Sequence, residues 1–299
     1  MPYEFSNYAK TQFTEDEQTF ILAGERKANE LSKKIVESLG KAEHTIVESK
    51  RQTIMQGPPA VGKSFTTKQT CEALGIQTIE ITASSTPTEI ATKFAYAEYF
   101  TPADEEVVVI YDDADESIFG SKTSANTWKR VFTDPEDNPE FNHNVSMANE
   151  IAKLTKQKKD KMVEAIKAHI HEGEIGINIP MDRFRHIVLT NTDWEEEAEK
   201  KRYSHLRPVL DRFKYERLQY EWTTAWGWMS FVLLTTQPFE KRFGIQLDEE
   251  QKIRILRWVK DHWLQMGNRQ TYRTIKEMAE YLINEPDNAH NRWEKFVRK

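Results

Sequence analysis

The 299-residue chain has one cysteine, Cys71, so no internal disulfide can form, and a small buried thiol on a helix is the expected role of that side chain. This suits a reducing compartment, and a cytoplasmic location is expected. Long apolar runs are also lacking. The longest, around Ala225 to Leu234, is too short to cross a bilayer, which excludes a membrane-spanning helix. Met1 to Lys10 carries Tyr, Glu, Ser and Asn where the apolar core of a secretory leader would begin, and none is expected. Excess positive charge is missing as well: a net charge of -6 argues against a surface that binds nucleic acid as a whole, while leaving room for a local basic stripe. What is present, 38% hydrophobic and 30% charged residues, describes a globular chain long enough for one large α/β domain and a smaller partner.

The most informative stretch is Gly57-Pro58-Pro59-Ala60-Val61-Gly62-Lys63-Ser64, which fills every fixed position of the G-x-x-x-x-G-K-[ST] pattern. Glycines at both ends let the backbone wrap a phosphate, so that successive N–H groups and the following helix N-terminus face negative charge. Lys63 is then expected to reach the β- and γ-phosphates, and the Ser64 hydroxyl to take a place on Mg²⁺. The context agrees: Gln52 to Gln56 reads as a strand before the loop, and Phe65 to Leu74 as a helix after it, closed by Gly75. Phe65, directly behind the loop, is counted with the nucleotide-contacting residues.

Ahead of the loop, Thr14-Glu15-Asp16-Glu17 is a capping-box pattern opening a long amphipathic helix that Gly40 should stop. That helix has three open placements: beside an adenine pocket, against a neighbouring subunit, or simply over the sheet. Ala42 to Arg51 is a polar connection. After the loop, Gln77 to Thr82 alternates as a second strand, and Thr86 starts a helix running to Phe100. Val107 to Tyr111 is a continuous apolar run, as expected of a central parallel strand. It delivers Asp112-Asp113-Ala114-Asp115-Glu116. There Asp112 is expected to hold Mg²⁺ through water and Asp113 to orient the attacking water.

Ala125 to Phe132 reads as a helix, Thr133 to Asn144 as a loop, and Met147 to His171 as one long polar helix bearing Lys153, Lys156, Lys158, Lys159 and Lys161. Interleaved Glu150, Asp160 and Glu164 favour a solvated face there over a nucleic-acid contact. His169 and His171 would not share a face and are not read as metal ligands. A fourth strand, His186 to Thr190, brings Asn191 to its tip, where an amide can hydrogen-bond a γ-phosphate or a lytic water. Asn191 to Asp193 is not a guanine-reading element, because the required Lys is absent. Next come Leu206 to Phe213, with Arg212 before an apolar anchor, and a fifth strand around Lys214 to Tyr220. The remainder is helical near Thr223 to Thr236, Asp248 to Gln265 and Thr271 to Ile283. Its tryptophans 222, 226, 228, 258 and 263 sit mostly at helical spacing, which favours core packing over base stacking.

In this order the motifs resemble those of the AAA+ ATPase family, from about Gln52 to Leu282. GPPAVGKS resembles its Walker A, VVVIYDDAD its Walker B and Thr190-Asn191 its sensor 1. LDRF is similar to the box carrying an arginine finger, which gives Arg212, and the stretch from Gln270 to Ile275 is similar to the start of the sensor 2 helix, which gives Arg273. Asn291 to Glu294 is similar to the end of small AAA+ ATPases encoded by bacteriophages, which would place the protein in a host cytoplasm.

The resemblance implies an α/β fold, a P-loop AAA+ core with a central parallel five-stranded sheet, followed by a small all-helical lid domain. The corresponding divisions are an N-terminal helical extension 1–50, the nucleotide-binding domain 51–221 with an insertion at about 117–184, and the lid 222–299. It also implies ATP and Mg as cofactors and a homo-oligomer, ring or arc, in which Arg212 acts on the neighbour's nucleotide. An unidentified protein partner would be remodelled, with nucleic acid a further open partner and no membrane involved. Asp113 departs from the family's usual Glu by one methylene, and since about 1 Å of misplacement can cost on the order of a hundredfold in rate, slow turnover is expected, or a nucleotide-gated module with little hydrolysis. No L-S-G-G-Q signature or second α/β lobe is present, and no aromatic-apolar-Gly loop follows the second strand. These absences disfavour an ABC ATPase, a two-lobed helicase and a polypeptide-threading unfoldase.

Overall fold

A computed structural model describes residues 4–39, 52–59, 62–133, 137–170, 176–236, 239 and 244–297. Gly40, the connection over Ala42 to Arg51, Ala60, Val61 and His171 lie outside the described residues. The chain divides into two compact units: Lys34–Gly57 with Ser64–Arg217, and Met1–Lys33 with Pro58–Lys63 and Leu218–Lys299.

The first unit is α/β. Strands β1 (Gln52–Gln56), β2 (Gln77–Thr82) and β3 (Val107–Asp112) each precede a helix: α3 (Lys63–Ala73), α4 (Pro87–Phe100) and α5 (Asp115–Phe119), numbered after α1 (Asn7–Gln12) and α2 (Glu15–Ser38). With β6 (Phe184–Thr190) and β7 (Lys214–Arg217) they form a parallel five-stranded sheet in the order β2-β3-β6-β1-β7. Val107 to Tyr111 are all buried, which is what a central strand covered on both faces requires and why this run is apolar without alternation. Two of the helix ends follow from single residues. Gly75, at φ +66, turns the chain at the end of α3 while the Ile76 N–H reaches back to the Cys71 carbonyl. Thr86 and Glu89 make a reciprocal capping box before α4, with Pro87 at its first position.

The insertion between β3 and β6 departs from expectation twice. The stretch expected as loop contains β4 (Glu140–His143), paired antiparallel with β5 (Ile177–Pro180). Its composition is that of a loop, and it is held as a strand by Phe141, which inserts into the core 5.1 Å from the Phe94 ring. The expected single helix from Met147 to His171 is two, α7 (Ala148–Lys156) and α8 (Asp160–Ala168), following α6 (Lys122–Val131). Leu154 and Ile166 are both buried, yet on one straight helix they would point about 120° apart. Breaking the helix at Lys158, which adopts φ +55, lets both face inward. Tyr111 donates to or accepts from His186 Nδ1 at 2.9 Å, and the Trp128 ring meets that of Tyr111 edge-on at 5.4 Å, tying β3, β6 and α6 together. After β6 come α9 (Trp194–Glu199) and α10 (Arg207–Leu210), and β7 is shorter than expected.

The second unit is helical. It gathers α1 and most of α2 with α11 (Trp222–Thr235), α12 (Glu249–Asp261), α13 (Trp263–Met266), α14 (Tyr272–Asn284) and α15 (Ala289–Trp293). Met1–Lys33 groups here with Leu218–Lys299, and the Phe13 ring meets Trp226 edge-on at 6.2 Å. The chain passes from the α/β unit to the helical one between Arg217 and Leu218. Trp226, Trp228, Trp258 and Trp263 are buried, as core packing requires, whereas Trp222 is 44% exposed. Two buried indoles have their donors satisfied by carbonyls, Trp226 through Leu256 and Trp293 through Met278. Helices α2 and α11 cross at glycines. A Cβ on Gly227 would lie 1.9 Å from the Phe20 carbonyl oxygen, and one on Gly24 would lie 2.1 Å from the Trp228 nitrogen.

Candidate functional site

All five strands of the sheet are parallel, so their C-terminal tips share one edge, the edge at which open α/β sheets bind ligands. Gln56 of β1 is level with Thr190 of β6, while Asp112 of β3 is level with Leu189, so that Asp113 comes level with Thr190. The loop after β1, the acids after β3 and Asn191 after β6 therefore leave the sheet side by side. The Gly57 N–H donates to the Thr190 carbonyl at 3.1 Å and fixes the start of the loop to the tip of β6.

Ser64, in the first turn of α3, donates its hydroxyl to Asp112 Oδ1 at 2.5 Å. The two residues are far apart in sequence, and the fold brings together the pair expected to share a metal. Lys68, one helical turn beyond Ser64, lies 3.5 Å from Asp112 Oδ2 and 2.6 Å from Glu80 on β2. Lys63 is 8% exposed and donates to the Pro58 carbonyl at 2.9 Å, so its ammonium is folded onto the loop that precedes it. Pro58 and Pro59 are exposed, Gly57 is buried and Phe65 is half-buried. Gly62 takes φ +79, a conformation that a side chain would strain. Its open face is covered by Trp228, whose Cζ2 would lie 1.8 Å from an added Cβ.

Asp113 is exposed at φ +54, in a left-handed turn between the end of β3 and the start of α5. Asn191 is exposed at the tip of β6. Asp115, two residues past Asp113, is buried and does not face the edge as a further acid. Its Oδ2 accepts from the Thr190 hydroxyl at 2.7 Å and from Trp194 Nε1 at 3.0 Å. Arg212 is half-buried between α10 and β7 and donates to the Pro208 carbonyl. Arg273 is exposed in the first turn of α14, within the helical unit, behind the Thr271 cap. In the insertion, His169 bonds the Ala165 carbonyl through Nδ1 and Glu98 through Nε2. Both partners accept, so this histidine joins α8 to α4 rather than serving as a ligand.

No protein-family model matches this chain, and no curated protein matches its sequence. Assignment of chemistry therefore rests on the side chains. Among the described residues no group of three or more His, Cys, Asp or Glu side chains could by itself hold a metal ion. One hydroxyl and one carboxylate in contact suit Mg²⁺, which keeps several waters and takes its remaining oxygens from phosphates. Cys71 is buried, and burial pushes its thiol up to about 11, away from the thiolate that a reactive cysteine needs. Among the described residues no helix is long and apolar enough to cross a membrane.

Sequence reading missed Lys68, Asp115, Trp228 and the glycine crossing. Lys68 had a signal, since it stands four residues after Ser64 on one helix face. Asp115 had none, because a run of acids does not say which one turns inward.

Proposed function

We propose that the protein binds Mg-ATP at the sheet edge and hydrolyses it, as an ATPase of AAA+ type working in an oligomer. The observation that carries the reading is the 2.5 Å bond from Ser64 to Asp112, with Asn191 delivered by the strand between β1 and β3. In this reading the N–H groups of Gly62 to Phe65, at the end of the loop and the start of α3, would cradle the phosphates. Lys63 exchanges the Pro58 carbonyl for phosphate oxygens, and Ser64 and Asp112 hold Mg²⁺, which supplies charge neutralisation to the phosphates when bound. Asp113 would orient the attacking water, and Asn191 would hydrogen-bond that water or the γ-phosphate. The helical unit serves as the lid, Arg273 is its γ-phosphate contact, and Arg212 acts on the nucleotide of a neighbouring copy. Loss of the γ-phosphate releases Arg273, and the resulting motion would remodel a protein or protein–DNA assembly.

The test is steady-state phosphate release with Mg-ATP, titrated over protein concentration, with Lys63→Ala as blank and with single-stranded or duplex DNA added in parallel. Turnover per chain that rises with concentration supports a site shared between subunits. Turnover no higher than the blank rejects hydrolysis.

One observation favours a second reading, a nucleotide-gated assembly module with little hydrolysis. Asp113 is a short acid on a left-handed turn, which limits its reach toward a water. Asp113→Glu separates the two: faster turnover indicates a geometric limit, whereas ATP binding with no turnover in either form indicates the module.

A further inference from the structure

Asp115 is a carboxylate buried beside the site, and nothing in the reading above uses it. It begins α5, immediately after the Asp113 turn, and is 9% exposed. Its Oδ2 takes two hydrogen bonds, from Thr190 Oγ1 at 2.7 Å and from Trp194 Nε1 at 3.0 Å. Thr190 in turn is 1% exposed, and its Oγ1 accepts the Thr192 N–H at 2.9 Å. The hydroxyl accepts from the Thr192 N–H and has two acceptors within reach, Asp115 Oδ2 at 2.7 Å and the Thr192 carbonyl at 3.4 Å, of which the carboxylate is the nearer and the charged one. The bond the hydroxyl accepts spans Asn191 and closes the turn on which that residue stands. A hydroxyl in this role competes with other local backbone conformations, and the carboxylate selects the one rotamer that closes the turn.

The same short segment is anchored at its other end, where Asp112 accepts from Ser64. Asp113 therefore sits between an acid fastened to α3 and an acid fastened to β6. We infer that Asp115 is a positioning residue that sets Asn191 against Asp113 by holding the Thr190 hydroxyl, so that the two exposed groups at the edge act on the same water. The inference rests on the proposed ATPase reading. Asp115 touches neither nucleotide nor water in this role. Its effect is on geometry, and for geometry a displacement of about 1 Å is worth on the order of a hundredfold in rate.

The experiment is a double-mutant cycle on Asp115→Asn and Thr190→Val, read as kcat and KM for phosphate release. Affinity for a fluorescent ATP analogue and thermal unfolding are measured in parallel. Each single variant is expected to lower kcat at least about tenfold with ATP affinity within about twofold, and the double variant to be no slower than the slower single, because both remove one link. Thr190→Ser, which keeps the hydroxyl, is expected to recover most of the rate, an outcome that a merely structural threonine would not single out. Should Asp115→Asn fail to fold, the comparison of Thr190→Val with Thr190→Ser decides alone. Wild-type turnover with unchanged kcat in folded Thr190→Val overturns the positioning role and leaves the ATPase reading standing. Wild-type turnover no higher than that of Lys63→Ala overturns both.

Discussion

Trp228 lies directly against the α-carbon of Gly62, leaving 1.8 Å between its Cζ2 and the place a β-carbon would occupy. Gly62 thus answers two demands at once: a backbone at φ +79 and a face without a side chain. The two are separable. Gly62→Ala is expected to lower the melting temperature and to weaken binding of a fluorescent ATP analogue at least about tenfold. Adding Trp228→Phe, which withdraws the far ring of the indole, should return only part of the stability. The left-handed backbone, costing about 1–2 kcal/mol for a residue with a β-carbon, remains. Full recovery in the double variant would show that crowding alone selects glycine.

The Ser64 to Asp112 bond predicts a matched pair of metal effects. Ser64→Ala should reduce Mg²⁺-dependent phosphate release about a hundredfold, since the lost hydroxyl is one of two protein oxygens offered to the ion. Lys68→Met should act in the opposite sense. Removing a positive charge 3.5 Å from Asp112 Oδ2 is expected to raise Mn²⁺ affinity of the nucleotide-free protein about fivefold, measured by electron paramagnetic resonance. An unchanged Mn²⁺ affinity would mean that solvent screens Lys68 from the site.

Arg212→Ala is expected to abolish turnover while ATP analogue binding and folding persist, because an arginine acting from a neighbouring copy is worth about 10³ to 10⁵ in rate. Mixing this variant with Lys63→Ala should restore part of the activity, since one copy then supplies the finger and the other the loop. Loss of binding together with folding would instead assign Arg212 to local structure, through its bond to the Pro208 carbonyl.

At the crossing of α2 and α11, Gly227→Ala sets helix propensity against packing. Alanine gains up to about 1 kcal/mol in a helix interior. The new methyl would meet the Phe20 carbonyl at 1.9 Å, backbone that cannot step aside, and overpacking of this kind costs about 1–3 kcal/mol or more. Packing should win, lowering the melting temperature by roughly 5 °C in a circular-dichroism melt.

Glu17 contributes a pH-dependent part of the stability. Burial alone would push its carboxyl up, but hydrogen bonds from Lys260 and the Thr14 N–H, with the Lys260 charge, outweigh burial and hold it below the usual carboxylate range. A folded-state value below the unfolded one means that this stabilisation is complete above the unfolded value and is lost as pH falls through the folded one. The melting temperature of Glu17→Gln should therefore lie below wild type near neutrality, with a gap that closes as the pH falls from above the ordinary glutamate value through the lowered folded one. A gap constant over that range would remove the charge from the explanation.

The strands and the loop were legible before the fold because their signals are local. An apolar run without alternation, as in Val107 to Tyr111, has few conformations other than a buried strand, and the glycine spacing from Gly57 to Gly62 serves a backbone shape. The helix starts at Thr14 and Thr86 were equally plain, each requiring only residues one turn apart. Strand β4 was illegible because its composition is that of a turn, and only the inward-facing Phe141, meeting Phe94, makes it a strand. The break at Lys158 was illegible because helix propensity runs straight through it, while burial of Leu154 and Ile166 demands two directions.

By itself the sequence determined the separate strands, the helical C-terminal stretch and the pattern of residues at the strand tips, since each follows from periodicity and side-chain type over a few neighbouring positions, while one parallel five-stranded sheet was what the family resemblance implied. Tertiary structure decided the rest. It chose which acid of Asp112, Asp113 and Asp115 meets Ser64, which stays exposed and which turns inward to Thr190, and it joined the first helices to the last ones. Those outcomes depend on partners distant in the chain, and hydrogen bonds and close approaches between distant residues leave no periodic trace in the sequence.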